Sequence, residues 1–166
     1  MVVLSVPESP LRLRPWGLDD LPALVEAHRD PQLRRWLATS LAGEAEARQW
    51  LDVQEAGWAD ATRFSFAVVE ADLPPLGHVV VKAGSAEVGY WTAAHARGRG
   101  IAAQAVETVS TWALETQKLA QLSLLHAVGN EASCRVAEKC GFVLHELVPA
   151  SPPAFPNDAH RHVRTA

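Results

Sequence analysis

The sequence predicts one α/β (α+β) domain, built from a mixed β-sheet with helices on both faces. Three strand-like segments, 64–69, 76–82 and 86–91, are joined by short connections, as in an antiparallel meander. The third segment leads through a glycine-containing loop into a helix-like run at 101–118, and then into an apolar run at 121–128. Because this last run is almost wholly apolar, it fits a strand that is covered on both sides and runs parallel to the strand before the helix.

Local signals define the elements that precede the meander. Alternating apolar and basic residues predict a strand at 11–14. Asp19 is placed to cap a first helix, which the pair Asp30 and Pro31 interrupts. Apolar residues at helical spacing predict a further helix over 40–57. These early helices are expected to shape a substrate entrance rather than to supply chemistry.

The C-terminal part contains one capped helix, one clear strand and a tail. Asn130 is a typical N-cap for a helix that ends near Cys140, and residues 142–147 form the last clear strand. The tail, 148–166, is rich in proline, which opposes regular structure. Within it, residues 161–164 are expected either to form a short edge strand or to fray.

Length, composition and charge limit the class of protein. With 166 residues, 48% of them hydrophobic, we expect a single domain over 1–166 with its core at about 11–147. No segment reaches the ~20 apolar residues of a membrane span, and residues 1–10 lack the pattern of a secretory signal. The two cysteines, Cys134 and Cys140, are expected to be reduced helix-core thiols in a cytoplasmic protein. A net charge of −4 argues against general nucleic-acid binding.

The loop at 96–103, with two glycines and two arginines between strand and helix, predicts an anion-binding turn. A basic turn that merely ends the strand is the alternative. The spacing Gly98-x-Gly100-x-x-Ala103 also satisfies a dinucleotide-binding fingerprint. That fingerprint requires an acidic residue at the end of the next strand, which here closes on His126-Ala127-Val128. No Gly-Lys-Ser/Thr follows, so a P-loop is excluded.

Three blocks in order resemble a known family. Arg97-x-x-Gly100-x-Ala102 resembles the pyrophosphate loop of the GNAT superfamily of acyl-CoA N-acyltransferases. The segments 11–20 and 88–91 resemble the opening and the fourth strand of its RimJ/RimL branch. The most specific block, 130–142, carries Asn, Ser, Val, Glu-Lys and Gly-Phe at the branch spacing. The resemblance covers about 11–147, and it departs from the branch at Ala94-His95 and in the Pro-rich C-terminus.

The resemblance implies a fold, a cosubstrate and a reaction. The sheet is expected to have six to seven mostly antiparallel strands with a splayed parallel pair at its centre. Acetyl-CoA is the implied cosubstrate, with no metal. The implied reaction moves the acetyl group to a primary amine by direct attack, with a protein N-terminal α-amine favoured and a small amine as the alternative. The protein is expected to be a monomer or a homodimer, with no nucleic-acid or membrane partner.

The same resemblance assigns residues to coenzyme A. Backbone groups of the fourth strand pair with the pantetheine arm, loop amides and arginines hold the pyrophosphate, and an asparagine binds the pantetheine from the next helix. Carried onto this sequence, the cofactor-binding residues are Trp91, Thr92, Ala93, Arg97, Gly98, Arg99, Gly100, Ile101, Ala102, Ala103 and Asn130.

Two residues are the expected catalytic groups. Glu87 alternates with Gly89 and Trp91 on one face of its strand, and is the leading candidate for the base that deprotonates the amine. The alternatives are an exposed strand charge, an edge ion pair, or a water relay in place of this base. Ser133 matches the position from which the branch contacts or protonates the coenzyme A sulfur. Since Ser133 is also three residues after Asn130, a helix-capping contact accounts for it as well.

Several histidines are lesser candidates for the base. His78 and His126 lie on strands beside that of Glu87, whereas His160 and His162 reach a site only if the tail folds back. Two further functions remain open at this point. A non-catalytic acyl-CoA-binding module would bind coenzyme A without turnover, and a dinucleotide-binding oxidoreductase would be stabilised by NAD(P).

Overall fold

The computed structural model describes residues 1–166 as an eight-stranded sheet with helices on both faces. The strands are β1 Leu4–Ser5, β2 Leu11–Pro15, β3 Arg63–Glu70, β4 Gly77–Lys82, β5 Glu87–Thr92, β6 Gln121–Ala127, β7 Val143–Val148 and β8 Ala159–Thr165. The helices are α1 Leu21–Ala27, α2 Pro31–Trp36, α3 Glu44–Ala59, α4 Ile101–Glu115 and α5 Glu131–Lys139. None of these helices is both long and apolar enough to cross a membrane.

The sheet has the order β1-β2-β3-β4-β5-β6-β8-β7, and all neighbours are antiparallel except β5 and β6. This parallel pair is joined only at Glu87↔Ser123 and Val88↔Leu124. Beyond this point, β5 continues to Thr92 and β6 to Ala127 without pairing with each other. The expected mixed fold with a splayed parallel pair is therefore confirmed.

Two apolar clusters lie on opposite faces of the sheet. The larger, of 22 buried residues, packs α4 against the inward side chains of β2 to β6, and the end of α5 joins it through Ala137. The smaller, of 9 buried residues, joins α1 and α3 to Trp91 and Ala93 at the end of β5. Because successive strand residues point to opposite faces, Trp91 faces α1 and α3, whereas Tyr90 packs against the larger cluster.

The tail differs most from the expectation. Residues 159–165 form β8, which is not at an edge but lies between β6 and β7 and pairs with both. All seven residues of β6 pair with β8, so this strand covers the side of β6 that faces away from β5. The expected count of six to seven strands was too low, because β1 and this inserted strand both belong to the sheet.

The observed ends of helices follow from local contacts. Asp20, not Asp19, precedes α1, and its side chain does not cap that helix. Its buried carboxylate instead accepts hydrogen bonds from Arg14 at 2.7 and 2.8 Å and from the Gly17 backbone at 2.9 Å. Helix α4 stops at Glu115 rather than at Lys118, which lies in the left-handed region with φ 57°. The helix predicted at 40–57 begins instead at Glu44.

Candidate active site

The glycine loop is the first component of the site. Gly98 and Gly100 have φ of +76° and +72°, and a Cβ on Gly98 would meet no atom within 4 Å. Conformation rather than space therefore favours glycine here, because side chains are strained at these φ values. Gly100 caps α4, and the first N–H groups of that helix, at Ile101, Ala102 and Ala103, have no acceptor within it. The loop thus places adjacent backbone donors at the positive end of a 15-residue helix.

A cavity of about 360 Å³ lies between this loop, the end of β5, α2 and α5. It is the place where β5 no longer pairs with β6, so that the backbone of β5 after Val88 has no strand partner on that side. The cavity is lined by nine of the eleven expected cofactor residues and by one expected catalytic residue, which are Trp91, Thr92, Arg97, Gly98, Gly100, Ile101, Ala102, Ala103, Asn130 and Ser133.

The charged groups that line the cavity are all cations. Arg97 is joined by Arg135 and Lys139, which lie one turn apart on α5, and the lining includes no carboxylate and no histidine. Such a cavity favours the binding of an anion, and it has no carboxylate or imidazole that could act as a base. The sequence reasoning missed Arg135 and Lys139, although their i, i+4 spacing after Asn130 would have placed them on one helix face.

Both arginines of the loop are bound to carboxylates. Arg97 pairs with Asp30, the N-cap of α2, and lies 3.4 Å from the carbonyl oxygen of Thr92. Arg99 is turned away from the cavity and donates to Glu70 at 2.7 Å. Ala93, the other expected cofactor residue that does not line the cavity, is buried against α1 and α3.

Ser133 and Tyr90 form a hydroxyl pair at the open end of β5. Their oxygen atoms are 2.7 Å apart, and burial raises the pKa of Tyr90, so the phenol is protonated at neutral pH. The backbone N–H of Ser133 donates to Oδ1 of Asn130 at 3.3 Å, which is the expected cap. Because this cap uses the backbone of Ser133, its hydroxyl is free for the contact with Tyr90. The sequence reasoning missed Tyr90, the only tyrosine of the chain.

Glu87 lies at the other end of β5 and does not line the cavity. Its register partner on β4 is Lys82, and Lys82 Nζ donates to Glu87 Oε1 at 2.8 Å. At this level β5 and β6 are still paired, which closes the sheet beside Glu87. The carboxylate therefore has the contacts of a strand ion pair, the alternative weighed for it from the sequence.

The other titratable candidates are also held away from the cavity. Burial lowers the pKa of His78 to about 3, and its Nδ1 accepts a hydrogen bond of 3.0 Å from Trp16 Nε1. Burial raises the pKa of Cys140 to about 11, and its Sγ contacts the Ala103 carbonyl at 3.3 Å. Cys134 was expected in the helix core but is half-exposed, and it lies with His126, His160 and His162 beside the sheet.

Comparison with known proteins agrees with this geometry. The family model of the acetyltransferase (GNAT) domain matches residues 10–143. YdaF of Bacillus subtilis, a candidate ribosomal N-acetyltransferase, is 41% identical over 58 residues, which are 35% of this chain and 32% of that protein. The matched segment therefore spans about a third of this curated relative.

Solved structures extend the likeness to the whole chain. A candidate ribosomal-protein-serine acetyltransferase from Vibrio cholerae has a TM-score of 0.83 and 20% identity, with 97% of each chain covered. RimL, the α-N-protein acetyltransferase of ribosomal protein L7/L12, was solved with coenzyme A bound through a disulfide; it has a TM-score of 0.83 and 18% identity over 99% of this chain and 98% of its own. At this identity the likeness shows the fold. Since the family model accounts for most of the 166 residues, the protein belongs to the GNAT acetyltransferase family.

Proposed function

We propose that the protein transfers the acetyl group of acetyl-CoA to a primary amine, with a protein N-terminal α-amine as the favoured acceptor and a small amine as the alternative. One observation carries this proposal: the loop of left-handed glycines and the Ser133–Tyr90 pair lie in one cationic cavity, where β5 separates from β6. Membership in the GNAT family and the RimL-type structural neighbours support the same reaction.

The cavity has the groups that coenzyme A requires. The free amides at Ile101, Ala102 and Ala103 would bind the pyrophosphate at the start of α4. The unpaired edge of β5 would bind the amide groups of the pantetheine arm, as an added strand does. Arg97 would exchange Asp30 for a phosphate, and Arg135 and Lys139 add positive charge from α5.

Ser133 is the proposed proton donor to the leaving thiolate. The amine nitrogen attacks the thioester carbonyl carbon, the C–N bond forms, and collapse of the tetrahedral intermediate breaks the C–S bond. As the sulfur takes the hydroxyl proton of Ser133, the phenol of Tyr90 donates its hydrogen bond to the serine oxygen, 2.7 Å away. Water, which accepts the amine proton, returns a proton to the serine oxygen. Tyr90 is thus a positioning residue for Ser133.

Water is the proposed acceptor of the amine proton, because no carboxylate or histidine lines the cavity. This choice favours amines that are neutral without help. A protein α-amine has a pKa of about 7.7–8.0, against about 10.4 for lysine, so at neutral pH a far larger fraction of the α-amine is ready to attack. An N-terminal acceptor therefore fits a site that lacks a side-chain base.

A peptide panel tests this function. Thiol release from acetyl-CoA is measured with peptides that have a free N-terminus, with the same peptides blocked at the N-terminus but carrying lysine, and with small amines. We expect acetylation of the free α-amine, located by mass spectrometry. Coenzyme A binding without turnover on any amine would indicate a binding module, and stabilisation by NAD(P) but not by acetyl-CoA would indicate an oxidoreductase.

A further inference from the structure

Three histidines and one cysteine lie together outside the cavity. His126, Cys134, His160 and His162, here called the His/Cys cluster, have their candidate ligand atoms within 4.8 Å of one another. His126 and His162 are buried, whereas Cys134 and His160 are half-exposed, so one side of the cluster is open to solvent. None of the four residues lines the coenzyme A cavity.

The topology of the tail brings these residues together. His160 is the register partner of His126, and His162 is the partner of Leu124, so the three histidines lie on one face of β6 and β8. Leu124 belongs to the apolar cluster that α4 and α5 cover, which identifies this face. Cys134, in the first half of α5, approaches the histidines from that side, with its Sγ 3.9 Å from His162 Nε2.

Two of the separations in the cluster are close to those of a tetrahedral metal centre. Zinc bonds of about 2.0–2.1 Å to nitrogen and about 2.3 Å to sulfur require separations of about 3.3 Å between two nitrogens and about 3.6 Å between nitrogen and sulfur. The observed separations are 3.0 Å between the Nε2 atoms of His126 and His162, and 3.9 Å between His162 Nε2 and Cys134 Sγ. Shifts of a few tenths of an ångström would bring both into range.

Hydrogen bonding presents a ligand nitrogen at His126. Its Nδ1 lies 3.0 Å from the carbonyl oxygen of Ala127, which can only accept, so Nδ1 carries the proton and Nε2 has a free lone pair. A carbonyl that fixes the ring in this way is the usual outer partner of a metal-binding histidine.

The cluster does not satisfy its own polar atoms. His162 must donate through Nε2 to reach the lone pair of His126, which leaves its Nδ1 as an acceptor. That nitrogen is buried and has no hydrogen-bond partner. A metal ion on Nε2 of His162 would place the ring proton on Nδ1 instead, where the Phe142 backbone carbonyl is the nearby acceptor. The metal-bound form of the ring therefore suits its surroundings better than the metal-free form.

We propose that the His/Cys cluster is a binding site for a transition-metal dication, with Zn²⁺ as the best fit to three imidazoles and one thiolate. This departs from the sequence-based expectation of no metal. Four protein ligands complete a tetrahedral shell and leave no position for an activated water, which gives the ion a structural role. It links α5, which carries Ser133 and is capped by Asn130, to β6 and β8.

Metal titration of the full chain tests this site. After treatment with a chelator, the protein is titrated with Zn²⁺ against a chromophoric competitor, and separately with Co²⁺ while its visible spectrum is recorded. We expect one metal per chain with a Kd below about 1 µM. The Co²⁺ form should show the intense d–d bands of tetrahedral coordination together with thiolate-to-cobalt charge transfer.

Matched variants identify the ligands. Cys134→Ser should abolish the charge-transfer band, and both this change and His160→Gln should weaken Zn²⁺ binding by at least about 100-fold, beyond the effect of losing an outer partner. Cys140→Ser and His145→Gln are the controls: Cys140 is a cysteine outside the cluster and His145 is an exposed histidine of β7, so binding should change by no more than about twofold.

The outcomes decide the proposal either way. Sub-stoichiometric binding, absence of the charge-transfer band, or equal losses in the control and cluster variants would overturn it. Circular dichroism of each metal-free variant separates loss of a ligand from loss of the fold. A rise in the Tm of the native chain with Zn²⁺, absent in His160→Gln, would support the proposal.

Discussion

The two ends of β5 differ in their strand pairing and in the side chains that contact them. At the Glu87 end, β5 is paired on both sides and its carboxylate is matched by Lys82 across the hairpin. At the Tyr90–Thr92 end, β6 has separated, the backbone edge is free, and a serine hydroxyl from α5 contacts the strand. A ligand needs backbone and side-chain groups that are not already paired within the protein. We therefore expect β5 to bind substrate at its open end alone.

The largest expected effect is at Gly100, beside the open end. Gly100→Val places a β-branched side chain at φ +72°, which costs about 1–3 kcal/mol or displaces the loop amides. Acetyl-CoA affinity measured by calorimetry should fall at least tenfold, within the range that this energy allows.

The matched control is Gly84→Val in the hairpin turn at the closed end, where a Cβ meets no atom within 4 Å. That variant should keep its affinity. Equal loss in the two variants would mean that the comparison between the ends is unfounded.

Ser133→Ala tests the chemistry of the open end. We expect kcat to fall by about 100-fold, the lower end of the range for general acid–base catalysis, because a thiolate leaves without full protonation. Stability should change little, since Asn130 caps the backbone N–H of residue 133 rather than its hydroxyl.

Asn130→Ala, which removes that cap, should lower the free energy of unfolding by about 1 kcal/mol. If Ser133→Ala destabilised the protein without slowing turnover, the capping contact would be its whole role.

Tyr90→Phe should have a smaller effect than the loss of Ser133. It removes one hydrogen bond to the serine oxygen, worth about 0.5–1.5 kcal/mol, so kcat should fall by about 2- to 13-fold. Burial raises the pKa of Tyr90 above its ordinary value, so the phenol loses its proton only at strongly alkaline pH. Between pH 6 and 9 the ratio of wild-type to variant rate should therefore stay constant, and a ratio that varies with pH would contradict the positioning role.

Glu87→Gln should have the smallest effect. Turnover is expected to remain within about twofold of wild type, with the same pH–rate profile, because the carboxylate does not line the cavity. The Lys82 pair is partly exposed and contributes at most about 1 kcal/mol to stability. In both proteins the rate should rise with pH up to the pKa of the acceptor amine. If the rate of the variant fell strongly and no longer rose with pH on the acid side of the pH–rate profile, Glu87 would be the base.

Much of the fold could be predicted because its signals are local. The meander, the long helix and the cap at Asn130 each depend on residues within a few positions of one another. The position of β8 could not be predicted in this way. Its sequence, 159–165, is mostly polar, and its place between β6 and β7 is decided by pairing with strands more than ten residues away.

The same distinction applies to the site. The glycine loop could be predicted because its two glycines and the helix that follows them lie within one short segment. Tyr90 was missed because its partner is 43 residues away. The role of Glu87 stays a prediction: its strand face follows from local alternation, whereas its place outside the cavity lining depends on where β6 stops pairing. The His/Cys cluster requires the position of β8 and was not visible as a group.

The pair formed by Arg97 and Asp30 has a consequence for ionic strength. In the free protein this arginine already has a counter-ion, and Asp30 is at the same time the N-cap of α2. If a phosphate takes the place of the carboxylate, as proposed, one ion pair is exchanged for another, and the net gain is only their difference. Added salt should therefore weaken coenzyme binding less than it would for an unpaired arginine. The same exchange would release Asp30 to solvent at the start of a helix that borders the cavity.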